Sequence, residues 1–298
     1  MRFEAGFFGA GQMGSALALA AVKAVTEEKV VLCRRTPEHS RETAQRIGCS
    51  WAEPETVFTQ SRFVFLGCKP QDLVHITAEY RESIAASQGI FVSMLAGISL
   101  SRLAQLLGAE KKILRILPNT PCSLGAGLTL FCANGSVSPE DVKAFRVLMD
   151  PSGLVDEIPE DLMDAAGTLS GCGPAYAYMF LNALCDGAVL RGVPRQKARQ
   201  YAAQMLLGSA RMVLESGKHP EALKDGMQSR RQHHSRRPGA GGSRFPLRRY
   251  GSLGRRRDPQ QRAGLTHQNR SRRTQKAPPY TGLHTEELLS FYCFSICF

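Results

Sequence analysis

The 298 residues contain no Cys-x-x-Cys pair, a single tryptophan at Trp51, and no apolar run near the roughly 20 residues needed to span a bilayer. Each absence excludes a class of protein. Nine cysteines stand at positions 33, 49, 68, 122, 132, 172, 185, 293 and 297. Without ligand spacing or a secretory leader ahead of them, they read as reduced thiols of a cytoplasmic protein, with no metal site and no disulfide framework. The longest late apolar stretch, residues 288–298, has only eleven residues, so neither a transmembrane helix nor a membrane partner is expected. Net charge is also missing from most of the chain. Residues 1–225 carry 23 Lys+Arg against 23 Asp+Glu, whereas residues 226–298 carry 15 against three and hold the whole formal charge of +12. Two kinds of text are joined in one chain.

In the first kind, short apolar runs at 2–8, 29–33, 63–67, 90–93 and 112–116 alternate with helical patterns at 13–24, 37–47 and 100–107. That alternation predicts strand-helix units and a parallel, doubly wound α/β sheet. Two more strands are expected at 127–132 and 153–158, bracketing a helix opened by Ser138-Pro139-Glu140-Asp141, whose hydroxyl and acids suit an N-terminus. Beyond Glu160 strand text ends. Ala-, Leu- and Met-rich stretches at 174–190 and 194–215, each with proline near its first turn, predict an all-helical second domain. After about residue 228 the text is rich in Arg, Gly, Pro and Gln without periodicity, and disorder is expected. The expected domains are therefore 1–159, 160–227 and 228–298.

Gly9-Ala10-Gly11-Gln12-Met13-Gly14 follows an apolar strand ending at Phe8 and opens an Ala-rich helix, the context that gives a GxGxxG string its meaning. Gly9 permits the tight turn, Gly11 leaves the backbone open to a pyrophosphate, and Gly14 allows close helix-strand packing. The second strand ends in Cys33-Arg34-Arg35-Thr36, with no acid for a ribose 2′-hydroxyl. Arginines suit a 2′-phosphate, so NADP (NADPH) is favoured, with NAD as the alternative.

The motifs taken together resemble the pyrroline-5-carboxylate reductase family. They are Phe8-Gly9-Ala10-Gly11-Gln12-Met13, Cys68-Lys69-Pro70-Gln71, Ser93-Met94-Leu95-Ala96-Gly97-Ile98, Arg115-Ile116-Leu117-Pro118-Asn119-Thr120-Pro121, Leu169-Ser170-Gly171-Cys172-Gly173-Pro174-Ala175-Tyr176, Asp186-Gly187-Ala188 and His219-Pro220. The resemblance implies a homo-oligomeric enzyme that transfers a hydride from nicotinamide to the C=N carbon of 1-pyrroline-5-carboxylate, giving L-proline. It assigns Cys68, Lys69, Pro70, Ala96 and Gly97 to the cofactor. Pro118-Asn119-Thr120-Pro121 reads equally as a rigid turn or as a cofactor contact through Asn119. Ser170, Gly171, Cys172 and Gly173 are assigned to substrate, at the expected N-terminus of a helix starting near Pro174, where N–H donors suit a carboxylate. Cys172 stands where the family has serine, which substitutes a weak donor for a good one. Glu215 and His219 are expected at helix ends.

After its Leu-Lys-Asp the family continues with Ser-Pro-Gly-Gly-Thr-Thr-Ile and a long helix carrying a substrate-contacting threonine and much of the dimer interface. Here Leu223-Lys224-Asp225-Gly226-Met227 is followed by Gln228-Ser229-Arg230-Arg231-Gln232-His233-His234. Shifting the reading frame by one base from Gln228, with codons chosen within degeneracy, yields Ser-Pro-Gly-Gly-(Asn/Ser)-Thr-Ile-Ala-Gly-Val-Gln-Ala-Leu-Glu-Glu-Ala-Gly-Phe-Arg-Ser-Ala-Val-Met-Glu. A one-base frameshift near codon 227 is therefore expected. It leaves the catalytic residues unassigned, the dimer face damaged and the activity of this chain in doubt.

Two other functions fit parts of the chain. A reductase of another small imine or carbonyl compound would share the glycine cradle but lack the string at 169–176. Nucleic-acid binding through the basic tail would be salt-dependent and sequence-blind. Only Phe245 and Tyr250 offer stacking rings in the tail's central stretch, so no specific nucleic-acid partner is expected.

Overall fold

The computed structural model describes residues 1–227, in two compact units, one over Met1–Pro174 and a second from Ala175 onward. The expected disordered tail and the shifted-frame text lie outside the described residues.

The first unit contains β1 (Phe3–Phe8), α1 (Gln12–Ala24), β2 (Val30–Cys33), α2 (Pro37–Ile47), β3 (Ser50–Trp51), α3 (Pro54–Gln60), β4 (Ser61–Leu66), α4 (Leu73–Glu79), α5 (Arg81–Ala86), β5 (Ile90–Ser93), α6 (Leu100–Leu107), β6 (Ile113–Pro118), β7 (Gly127–Ala133), α7 (Pro139–Met149), β8 (Gly153–Glu157) and the start of α8 (Glu160–Val189). Its eight strands form one sheet in the order β3-β2-β1-β4-β5-β6-β7-β8. The strand order reverses beside β1, as in doubly wound folds.

The wholly parallel reading fails at one place. β7 runs antiparallel to β6, with Leu114 opposite Ala133 and Leu117 opposite Leu130. Residues 119–126 join them through a 3-10 turn at Thr120–Leu124, too few for the helical crossover that a parallel pair requires. The two-residue β3 and the short helices α3, α4 and α5 carry too little periodic pattern to be read from sequence.

Alternate residues of β4 bury both faces of the sheet. Phe63 and Phe65 join the cluster beneath α1 and α7, while Val64 and Leu66 join the one beneath α6. The Phe7 and Phe65 rings stack at 4.3 Å, and Phe145 of α7 meets Phe131 edge-on at 5.3 Å. Helix α7 starts as its text predicts. Asp141 N–H donates to Ser138 Oγ at 3.2 Å and Ser138 N–H donates back to Asp141 Oδ2 at 3.4 Å, closing a capping box.

Helix α8 corrects the expectation of a start near Pro174. It runs unbroken from Glu160 to Val189 with Pro174 inside it. The second unit holds the rest of α8, α9 (Arg195–Ser216) and α10 (Pro220–Gly226). Cys185, Ala198 and Ala202, ringed by Leu181, Leu184, Val189 and Val193, are its small core. Much apolar surface stays uncovered on this unit, with Met179 65% and Leu214 81% exposed. Glu215 pairs with Arg211 in the last turns of α9, and His219 Nδ1 accepts from Glu221 N–H at 3.2 Å to cap α10, so both sit at helix ends as read. Among the described residues no helix is long and apolar enough to cross a membrane.

Asp141 carries a testable consequence. Burial raises its carboxyl, but the hydrogen bond from Lys112 Nζ at 2.6 Å and the bonds from Ser138 outweigh it, and the group titrates below its ordinary 3.8. Its stabilisation is thus complete above that ordinary value and disappears as pH falls through the lower folded-state value. Asp141→Asn is expected to destabilise by about 1 kcal/mol at neutral pH, because the pair with Lys112 is part exposed and the cap survives in part. Denaturant titrations of both proteins should converge as pH falls through the lowered folded-state value of Asp141.

Candidate functional site

Where the strands end in the first unit, two glycines hold the walls of a cleft together. Gly9 has φ of +85°, and a Cβ there would lie 2.9 Å from the carbonyl of Gly67. A Cβ on Gly67 would in turn approach the Gly9 oxygen and the Met94 methyl at 2.9 Å. The ends of β1 and β4 therefore touch through backbone alone. Gly9 and Ala10 donate N–H groups to Cys33 O at 3.0 and 3.3 Å, tying the turn to β2. Gly14 packs with 3.1 Å between its virtual Cβ and Gly9 O, whereas the space around Gly11 is open to 4 Å. Thus the three motif glycines differ in kind: one for the turn, one for packing, one for access. At α1 no side chain caps the first turn and no acid occupies it, so its leading N–H groups face outward with their positive end uncompensated.

The cleft has a volume of about 810 Å³. One side is Gly11, Gln12, Met13 and Gly14 with Gly67 and Cys68; Met94, Ala96 and Gly97 follow β5, and Pro118, Asn119 and Thr120 follow β6. Ser170, Gly171 and Cys172 of α8 close the far wall. These residues come from the ends of β4, β5 and β6, the turn from β1 into α1, and helix α8, the position where open α/β sheets hold ligands.

Several sequence-chosen residues stand elsewhere. Phe8 packs in the core against Phe58 at 5.0 Å between ring centres. Gly9 and Ala10 shape the turn without lining the cleft, and Lys69, Pro70 and Gly173 also lie off its wall. Lys69 is exposed at the head of a 3-10 turn at Pro70–Asp72. Past β2, Arg34 folds back onto α2: its Nη1 donates to Thr43 Oγ1 at 3.0 Å and its backbone N–H to Ser40 Oγ at 2.9 Å. Arg35 is exposed and engages no side chain among the described residues. Cys68, although in the cleft, has its thiol pushed up to about 11, chiefly by burial, and is no nucleophile at neutral pH.

The expected anion cradle at a helix N-terminus is not present at 170–173, because those residues lie in the interior of α8. Their N–H groups are largely engaged in the helix ladder, and Ser170 Oγ donates to Gly167 O at 3.4 Å. What they offer instead is room: a Cβ on Gly171 or Gly173 would meet nothing within 4 Å.

Sequence reading missed Gly67, Leu117, Asp164, Gly167 and Thr168 among the lining residues. Gly167 brings α8 against Leu117, 2.5 Å from its virtual Cβ. Arg115, 3% exposed on β6, reaches Asp164 at 2.5 Å and Glu160 at 3.4 Å, and so holds the first turns of α8. A cation inside an apolar strand was the available signal, since a buried arginine needs an anionic partner.

A glycine-cradled cleft at the switch point of a doubly wound sheet defines the first unit as the nucleotide-binding part of a Rossmann-type oxidoreductase. The comparisons agree. A family model described as NADP oxidoreductase coenzyme F420-dependent matches residues 4–97, and one described as pyrroline-5-carboxylate reductase dimerisation matches residues 160–231. Pyrroline-5-carboxylate reductase of Escherichia coli strain K12 is 36% identical over 228 residues, covering 76% of this chain and 84% of that protein. Human pyrroline-5-carboxylate reductase 2 is 37% identical over 234 residues, covering 75% and 72%. Among solved structures, the Plasmodium falciparum pyrroline carboxylate reductase with NADP bound aligns with a TM-score of 0.68 at 29% identity, over 76% of this chain and 84% of that one. The Streptococcus pyogenes enzyme gives 0.67 at 31%, over 76% and 85%. The chain belongs to the pyrroline-5-carboxylate reductase family.

The glycines separate under mutation. Gly67→Ala is expected to force the β1 and β4 ends apart and cost about 1–3 kcal/mol in urea denaturation. Gly11→Ala, with open space around it, is expected to stay within about 0.5 kcal/mol of the parent chain.

Proposed function

We propose that this chain is an NADPH-dependent reductase of 1-pyrroline-5-carboxylate, forming L-proline. The observation that carries the reading is the identity of 36% over 228 residues with a relative of that name, spanning both the glycine cradle and the start of the helical unit. When bound, the dinucleotide supplies the hydride that reduces the C=N carbon, while the ring nitrogen takes up a proton. The residues present fit such a ligand: the outward N–H groups of α1 and the open approach at Gly11 suit a pyrophosphate. Phe8, Gly9, Ala10 and Gly14 shape that turn, and Gln12, Met13, Cys68, Ala96 and Gly97 line the path beyond it. Lys69 and Pro70 flank the path at the end of β4. The chain's share of the chemistry is placement of the two reacting carbons and exclusion of water between strand ends and α8. Ser170, Gly171, Cys172 and Gly173 supply the substrate side, by making room rather than by a helix-end dipole.

Preference for NADPH over NADH rests on Arg35 in this reading, because Arg34 already spends its guanidinium on Thr43. Arg35→Ala is expected to weaken NADPH about tenfold while changing NADH less than twofold, as read by fluorescence titration of each nucleotide. Equal loss of both would remove Arg35 from the 2′-phosphate. Gly11→Ala is expected to abolish measurable binding of either nucleotide without unfolding the chain.

A cytoplasmic enzyme of a homo-oligomeric family completes the reading, its own interface damaged, supported by the dimerisation model over residues 160–231 and the uncovered apolar surface of the second unit. The shifted-frame text supports a further part: the family's Ser-Pro-Gly-Gly segment is encoded but out of frame, and much of the interface and the substrate-contacting threonine are lost with it. Sequencing the gene across codons 220–260 tests this. Bases unable to encode the alternative text sink the frameshift, and proline formation by the unaltered chain sinks the claim that the lost segment is needed.

A further inference from the structure

Pro174 leaves a gap in the ladder of α8. An interior helical residue donates its N–H to the carbonyl four residues earlier, and proline has none to give, so the carbonyl of Ser170 loses its donor. That oxygen is nevertheless satisfied. Asn119 Nδ2 donates to Ser170 O at 3.2 Å, reaching from the end of β6 across the cleft wall. The other end of the same amide is fixed as well: Asn119 Oδ1 accepts from Leu128 N–H at the start of β7 at 2.9 Å, and from the Cys122 thiol at 3.9 Å. A carbonyl acceptor on one side and an N–H donor on the other allow one orientation of the amide only, since a flip would oppose like groups at both ends.

We infer that Asn119 is a positioning residue, which sets the distance between the strand-end wall of the cleft and the Ser170–Cys172 wall by replacing the hydrogen bond that Pro174 removes. The inference rests on the proposed reading of that second wall as the substrate side. Two facts favour this role over direct contact with a dinucleotide. Both ends of the amide are already committed to backbone partners, and those partners belong to separate segments that nothing else in the turn connects so directly. A helix running through proline would ordinarily pay for the break with a kink or a buried, unpaired carbonyl. Here the donor comes from the element whose spacing to the helix decides the width of the site. Arg115, four residues earlier on β6, grips the first turns of α8 through Asp164 and Glu160. Asn119 grips the middle, where Gly171 leaves the cleft side of the helix without a side chain to hold it.

The test is a double-mutant cycle in the full-length chain, because Pro174→Ala returns the missing N–H and makes the amide donor redundant. Asn119→Ala alone is expected to lower the melting temperature by about 3 °C, and by much less in the Pro174→Ala background. For the site, NADPH is titrated by fluorescence, and L-proline is titrated against the chain held with saturating NADP. Asn119→Ala should weaken L-proline about fivefold and leave NADPH within about twofold, with Pro174→Ala restoring most of the loss. A fall in NADPH affinity as large as that for L-proline overturns the inference in favour of direct cofactor contact. Additive melting temperatures overturn it too, since the two residues would then not share one acceptor. Should the parent chain bind neither molecule, the proposed function fails, and the melting cycle still decides whether the clamp exists.

Discussion

Everything at the site depends on the contact between Gly9 and Gly67. Two parallel strands can end side by side only if the turns leaving them do not collide, and here the backbones meet with no space for a methyl group on either. That contact brings the amino end of α1 to the edge of the sheet with its first N–H groups turned outward. It also leaves Met94, at the end of β5, with a seat over the pair. Loss of either hydrogen would separate β1 from β4 where they must be closest, and the cradle would widen even if the core beneath survived. The core itself is robust: aromatic rings of β1, β4, β7 and α7 stack and interlock with no exposure, so strain at the strand ends is borne against a fixed floor.

How legible this was in the sequence follows the physics of each signal. β1, α1, β2, α2, β5 and α6 were readable because buried parallel strands are continuous apolar runs and the covering helices begin at Thr-Pro, Ser or Gly. The antiparallel turn at β7 was invisible because strand patterns carry no direction; only the short link at 119–126, weighed against the length of a crossover, would have revealed it. Gly9, Gly11 and Gly14 were recognisable as a set, while Gly67 was not, for a lone glycine after a strand becomes informative only once its neighbour in the sheet is known. Arg115 was quoted within a motif without a role, although a charge in the middle of an apolar strand demands a partner somewhere.

The treatment of Pro174 shows why the helical part was misread. Proline is common in the first turn of helices and rare inside them, so placing a helix start beside it follows the statistics. The rule rests on two costs, a missing donor and a ring that crowds the preceding turn. The first cost is removed by Asn119, and Gly173, immediately before the ring, has no Cβ for it to crowd. None of this is local in sequence: the donor lies about fifty residues away, at the end of a strand. Reading Ser170–Gly173 as a helix end was therefore mistaken, and the wall that Ser170, Gly171 and Cys172 give the cleft is shaped by space and not by a dipole.

Charge gives the last step. A net charge of +12 invites a polyanion partner, yet the two halves of the chain differ too sharply for a single evolved surface: balance through residue 225, then fifteen cations against three acids. In the described part, several cations are committed to local partners, Arg62 to Glu4, Lys112 to Asp141, Arg146 to Glu157 and Arg115 to α8. Arg35, at the end of β2, is exposed and without a partner among the described residues, and in the proposed reading it serves one phosphate and not a polymer. Under the proposed frameshift the tail's arginines obey another logic, because GC-rich codons read one base out of phase produce arginine, glycine and proline whatever the original protein needed. Basic character in this chain is thus a property of its last quarter alone, while the glycine cradle and the cleft belong to the neutral part that precedes it.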